Sequence, residues 1–178
     1  MVYEVEIRSF ISKDEYSELI NFFDKHANFL SESDQETHYF DCNKDLRIQK
    51  NNNYSKIWLK LGKMHDEKRK EIELMLKKED FSKAQELFNE LGFNVKIKWL
   101  RKRREYEWGE FSVCIDYTKG YGYIIEVEKL CEEKDKDYYE NLIKSKFDEL
   151  NVKITSKEEF SQKFNDYEKN WKSLINKN

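Results

Sequence analysis

The chain has 178 residues, a length that suits one domain and can bury a sizeable core. Charged residues make up 39% of it, yet the signs nearly cancel at a formal −3, which argues against a generic nucleic-acid-binding surface. Aromatic residues at 15% supply core volume and argue against disorder. No apolar run approaches the ~20 residues of a membrane span, and the acids at positions 4 and 6 are unlike a signal peptide. Cys42, Cys114 and Cys131 are odd in number and widely spaced, so neither a disulfide framework nor a zinc site is expected, and a reducing cytoplasm is.

In chain order, residues 1–8 alternate as a strand does: Tyr3, Val5 and Ile7 on one face, Glu4, Glu6 and Arg8 on the other. Ser12-Lys13-Asp14-Glu15 matches a capping box, and Tyr16, Leu19, Ile20, Phe23 and Ala27 recur at helical spacing behind it. Strands are expected around Thr37–Asp41 and Asp45–Gln49, then, after the Asn51-Asn52-Asn53 turn, at Ser55–Leu61. Arg69 to Met75 alternates with Arg69, Glu71 and Glu73 on one face. A helix from Asp80 or Ser82 stops at Gly92. Val95–Arg103 reads as a strand, Tyr106–Phe111 as a hairpin about Gly109, and Ser112–Tyr117 with Tyr121–Leu130 as another about Gly120. Two helices fill the tail from about 137 to 177, the second opening with Ser156-x-x-Glu159. No Pro-, Gly- or Ser-rich linker divides the chain, so one domain over residues 1–178 is expected.

Ile125-Glu126-Val127-Glu128-Lys129 repeats the device of the first strand. Each copy alone reads as an ordinary strand with its polar face in water. Two Glu-x-Glu strands more than a hundred residues apart combine their carboxylates only where the fold brings them together.

Glu4-Val-Glu6-Ile-Arg8 resembles the Glu-x-Glu-x-Lys motif of the CYTH superfamily, the triphosphate tunnel metalloenzymes, which include class IV adenylyl cyclases and thiamine triphosphatases. The resemblance runs from Tyr3 to about Leu130 and keeps the family's order of motifs. Tyr39-Phe40-Asp41 resembles the segment before the first basic strand, and Arg47 stands where the family has its Leu-Arg-x-Arg pair. Lys60 matches the lysine ending the next strand, and Arg69-x-Glu71-x-Glu73 resembles Arg-x-Glu-x-Glu. Arg101-x-Arg103-x-x-Tyr106 resembles Lys-x-Arg-x-x-Tyr; Asp116, Gly120 and Glu126-x-Glu128 match the closing motifs. Arginines replace lysines at 8 and 101, and Gln49 stands where many members carry a second arginine.

The resemblance implies an α+β fold: an antiparallel eight-stranded β-barrel, or tunnel, of about residues 1–130, with flanking helices and the C-terminal helices at about 137–177. Its lumen would take the charged faces. Arg8, Arg47, Lys60, Arg69, Arg101 and Arg103 are then the expected substrate-binding groups, because basic side chains hold phosphate oxygens. Glu4, Glu6, Glu71, Glu73, Asp116, Glu126 and Glu128 are the expected ligands of Mg²⁺ or Mn²⁺, hard cations that take oxygen ligands. Catalysis is expected to involve Lys60, Glu6 and Glu128. The implied partner is a small molecule carrying a triphosphate. No membrane is expected, nor nucleic acid beyond an RNA 5′-triphosphate end, and the chain is expected to be a monomer or homodimer. The favoured reaction is metal-dependent triphosphate hydrolysis, since no base-reading residues stand out and the His-Phe pair typical of the cyclase subgroup is missing before Glu4. Adenylyl cyclisation of ATP is the alternative, and a barrel that only binds polyphosphate or a nucleotide is the third reading.

Overall fold

The computed structural model describes residues 2–61 and 70–176, the side chains of Val2, Lys70 and Glu71 excepted. Among the described residues, eight strands and four α-helices follow in the order β1 (Val2–Ile11), α1 (Lys13–His26), β2 (Asn28–Phe40), β3 (Asp45–Lys50), β4 (Tyr54–Leu61), β5 (Lys70–Lys77), α2 (Phe81–Glu90), β6 (Val95–Trp108), β7 (Phe111–Thr118), β8 (Gly122–Glu132), α3 (Lys136–Glu149) and α4 (Lys157–Leu174). The strands form one antiparallel sheet in the order β1-β8-β7-β6-β2-β3-β4-β5. The expected set of eight antiparallel strands with flanking helices is therefore present. No ladder joins β1 to β5 among the described residues.

Local chemistry sets several boundaries. The Ser12 hydroxyl accepts from the Glu15 N–H at 3.1 Å, while the Glu15 carboxylate accepts from the Ser12 N–H at 2.6 Å, closing the expected capping box of α1. The Asn51 side-chain oxygen accepts from the N–H groups of Asn53 and Tyr54, which makes the β3–β4 turn. Gly109 turns β6 into β7 with φ +62°, a conformation that favours glycine. Two strands are longer than expected: β2 starts at Asn28 rather than near Thr37, and β6 continues past Arg103 to Trp108. Arg69, part of one expected motif, lies outside the described residues.

The chain packs as two compact units, one of Met1–Glu32 with Lys102–Asp166, the other of Ser33–Arg101 with Tyr167–Asn178. In the first, Val5 on β1, Val113 and Ile115 on β7, and Ile125 and Val127 on β8 turn to one side. There they meet Leu19 and Phe23 of α1 and Ile143 and Phe147 of α3. Burying each such side chain stabilises the unit by roughly 1.5–3 kcal/mol. Because strand side chains alternate, this apolar face forces Glu4, Glu6, Arg8, Ser112, Cys114, Asp116, Glu126 and Glu128 onto the opposite one. In the second unit, Phe40 and Ile48 of the sheet bury against Phe81 and Ala84 of α2. The last turns of α4 are tied to β6 by two polar tips: the Tyr167 hydroxyl donates to the Lys98 carbonyl at 2.8 Å and the Trp171 indole N–H to the Lys96 carbonyl at 2.7 Å.

Candidate active site

In the first unit, the β1–β8 ladder sets Glu6 opposite Glu128 and Arg8 opposite Glu126, and the β7–β8 ladder sets Ser112 opposite Glu128. Register alone thus gathers both Glu-x-Glu pairs on one face. Glu4, Glu6 and Glu128 each place a carboxylate oxygen within 4.8 Å of the others. Burial among protein atoms and then the charge of Glu126 push Glu6 up to about 7, with Arg8 pulling down and Glu4 adding to the rise. Glu4 and Glu6 nonetheless stand exposed to solvent, so the like charges weigh more than burial in the rise of Glu6. Burial, then a hydrogen bond to Glu4 and the charge of Glu4, raise Glu128 to about 7 as well, while a hydrogen bond from Ser112 opposes the shift.

Three carboxylates this close cannot all be ionised cheaply unless a cation joins them. An octahedral ion with ligands at about 2.1 Å separates its ligand oxygens by roughly 3.0 Å (cis) or 4.2 Å (trans), so small side-chain adjustments bring this trio within range. All three donors are hard oxygens, which fits Mg²⁺ or Mn²⁺ and not a soft metal.

The neighbouring acids have a different partner. Arg103 of β6 grips Asp116 with both ends of its fork, Nε to Oδ1 at 2.8 Å and Nη2 to Oδ2 at 2.6 Å, and Nη2 also donates to Glu126 at 2.5 Å. Asp116 is 2% exposed, so this is a buried ion-pair network in which one guanidinium faces two carboxylates. Cys114 sits opposite Glu126 in the same patch, and burial pushes its thiol well up, which keeps it protonated. Arg8 lays its guanidinium over the ring of Phe160 at the start of α4, 4.8 Å from the centroid.

The second unit carries the other expected basic residues. Asp45 holds Arg47 by Nε and Nη2 at 2.6 and 2.7 Å, and the guanidinium lies over the rings of Tyr39 (4.3 Å) and Trp58 (4.8 Å). Lys60 stands 4.2 Å from the Trp58 centroid. Glu73 is paired with Lys56 at 2.7 Å, and Glu71 faces Lys60 across the β4–β5 ladder, its side chain undescribed. Arg101 donates twice to the Gln35 amide oxygen, at 3.0 and 2.6 Å. Gln49, in place of a second arginine, is buried and donates to Thr37 at 3.0 Å.

Of the seven expected metal ligands, the structure thus brings three together as a possible metal site, Glu4, Glu6 and Glu128. Asp116 and Glu126 are engaged by Arg103, and Glu73 by Lys56. Tyr106, three residues past Arg103, falls on the opposite side of β6: it is fully buried among Phe23 and Trp108 and donates to Asp24 at 2.8 Å. Sequence reasoning missed Ser112, whose place two residues before Cys114 and four before Asp116 on an alternating strand was the available signal. It also missed Asp45, two residues before Arg47.

The geometry has relatives. A CYTH domain model matches residues 2–165. The chain belongs to the CYTH family. Its fold is shared by a conserved hypothetical protein of Pyrococcus furiosus, at 25% identity and TM-score 0.68, over 84% of this chain and 91% of that one. A putative adenylate cyclase of Vibrio parahaemolyticus aligns at 16% identity and TM-score 0.65, covering 90% of this chain and 98% of that one. A Hippeastrum protein described as a putative adenylyl cyclase with a dominant triphosphatase activity aligns at 18% and 0.64, over 88% and 93%. The last two show likeness of fold alone. No curated protein matches the chain. Among the described residues, no helix is long and apolar enough to cross a membrane.

Proposed function

We propose that this CYTH protein is a divalent-metal-dependent triphosphatase. The observation that carries the reading is the convergence of Glu4, Glu6 and Glu128 within 4.8 Å, two of them raised to about 7. Mg²⁺ or Mn²⁺ held by these carboxylates would neutralise phosphate charge and activate water. The chain's own residues have separable parts in this proposal. Glu128 is oriented by Ser112 and shares a hydrogen bond with Glu4. Arg103 neutralises Asp116 and Glu126 beside the trio and fixes them in place. The resemblance assigns phosphate contacts to Arg8, Arg47, Lys60, Arg69, Arg101 and Arg103, with Lys60 assisting as a donor or as a base, and we retain those roles as part of the proposal. One domain, residence in the cytoplasm, and a monomeric or homodimeric state belong to the same reading; the three cysteines are all free.

Hydrolysis asks only that a triphosphate tail be held and a water activated, whereas cyclisation also needs a nucleoside oriented so that its 3′-oxygen lies ~3–3.5 Å from the α-phosphorus. The test is to incubate the protein with inorganic triphosphate, thiamine triphosphate and ATP, each with Mg²⁺ or Mn²⁺, and to resolve orthophosphate, pyrophosphate and cyclic AMP. Orthophosphate release that EDTA abolishes is expected. Cyclic AMP with stoichiometric pyrophosphate would instead make the chain a cyclase, and metal-dependent binding without turnover would make it a binding module.

A further inference from the structure

Trp58 occupies an unusual place in the second unit. It stands on β4 between Lys56 and Lys60 and directly opposite Arg47 of β3. Lys56 Nζ lies 4.3 Å, Lys60 Nζ 4.2 Å and the Arg47 guanidinium carbon 4.8 Å from the centre of its ring. Tyr39 takes another side of Arg47 at 4.3 Å. Three cations sharing one centroid at these distances lie within about 9 Å of one another, comparable to the Debye length of about 8 Å at physiological salt, so their repulsion is only partly screened. Asp45 and Glu73 offset that repulsion at Arg47 and Lys56, and the negative face of the indole offsets it further. A neutral side chain thereby keeps three flexible cationic ones clustered.

We infer that Trp58 is a positioning residue for polyanion binding: its ring pre-organises Arg47, Lys56 and Lys60 to receive a chain of phosphates, and Lys56 joins the two expected residues as a third phosphate-binding group. This rests on the triphosphate reading and deepens it, since the affinity for phosphate then depends on an aromatic ring that touches no phosphate. Pre-organised groups bind more tightly because less side-chain freedom is lost on binding.

The test measures binding of inorganic tripolyphosphate by calorimetry over a range of salt concentrations, for the wild type, Trp58→Leu, Arg47→Met, and a protein with a polyfluorinated tryptophan at position 58. The fluorinated ring keeps shape and packing while losing most of its quadrupole, so it reads out the cation–π contribution even if Trp58→Leu does not fold. Trp58→Leu should bind about tenfold more weakly with the wild-type salt dependence, because the cations remain and only their order is lost. Fluorination should give a smaller loss of the same kind, and Arg47→Met a flatter salt dependence. Wild-type affinity in the fluorinated protein would overturn the inference. A wild type that does not bind tripolyphosphate at all would overturn the triphosphate reading itself, and this inference with it.

Discussion

Replacing Arg103 by Met is expected to destabilise the protein severely. Methionine fills much of the arginine volume, so the effect isolates the charge. Asp116, 2% exposed, loses the two bonds that the Arg103 fork gives its carboxylate, and Glu126, 15% exposed, loses a short charge-assisted bond. Removing one partner of a buried ion pair costs roughly 3–5 kcal/mol, because the remaining charge is left buried and uncompensated. With two carboxylates depending on one guanidinium, the upper end of that range applies. For a chain of this size each kcal/mol lowers Tm by about 2–4 °C, so a fall of at least ~10 °C is expected. Urea unfolding followed by circular dichroism measures the loss directly. The triple variant Arg103→Met/Asp116→Asn/Glu126→Gln carries no charge at these positions and should recover more than half of it. Two results refute the reasoning: a loss below about 1 kcal/mol for Arg103→Met, or a triple variant as unstable as the single one.

Glu128→Gln and Glu6→Gln should each cut triphosphatase activity by at least ~100-fold, checked by phosphate release at saturating Mg²⁺. The metal-free protein should lose stability as pH rises from the ordinary carboxylate range through about 7, because Glu6 and Glu128 are raised and their ionised forms repel; added Mn²⁺ should reverse that fall, measured as Tm against pH with and without the ion. Glu36 moves the other way, held at about 2 first by its hydrogen bond with His38 at 2.6 Å and then by Lys50. Its contribution is therefore present above the usual carboxylate range and vanishes as pH falls through about 2, so the Tm gap between wild type and Glu36→Gln should close over that interval. Tyr106→Phe should cost about 1 kcal/mol by loss of the bond to Asp24, with KM and kcat unchanged; altered kinetics would return Tyr106 to the reacting face.

The strong alternations were legible. Residues 3–8 and 125–129 fold as read, and the capping box of α1 closes, while at the start of α4 Ser156 accepts from the Glu159 N–H at 3.2 Å, one half of the second. The Asn28–Glu36 half of β2 was not, because Asn, Ser, Asp and Gln carry little strand propensity. What organises it is cross-strand polar pairing with β6: Asn28 to Glu107, Ser31 to Glu105, Gln35 to Arg101. Those contacts depend on a partner some seventy residues away. The face of Tyr106 was readable, since a spacing of three from Arg103 reverses sides on any strand. The pairing of Asp116 with Arg103 was only half legible: the expected hairpin about Gly109 sets β6 beside β7, but the register that brings these two side chains together was not read from it.

That pairing explains why one acidic face behaves as two sites. On β7 and β8, Asp116 and Glu126 receive the Arg103 fork and are satisfied within the protein. Glu6 and Glu128 lie two residues, and Glu4 four, further along the same face, where Arg8 and, less strongly, Arg103 act on Glu6. At Glu6 and Glu128 the environment answers by raising both carboxyls to about 7. A divalent cation held here, as proposed, would do the same work with two charges and would displace protons as it entered. On that proposal metal affinity would be coupled to pH through Glu6 and Glu128, which sheet register sets opposite one another, and a one-residue slip of β1 against β8 would turn Glu4 and Glu6 into the apolar core.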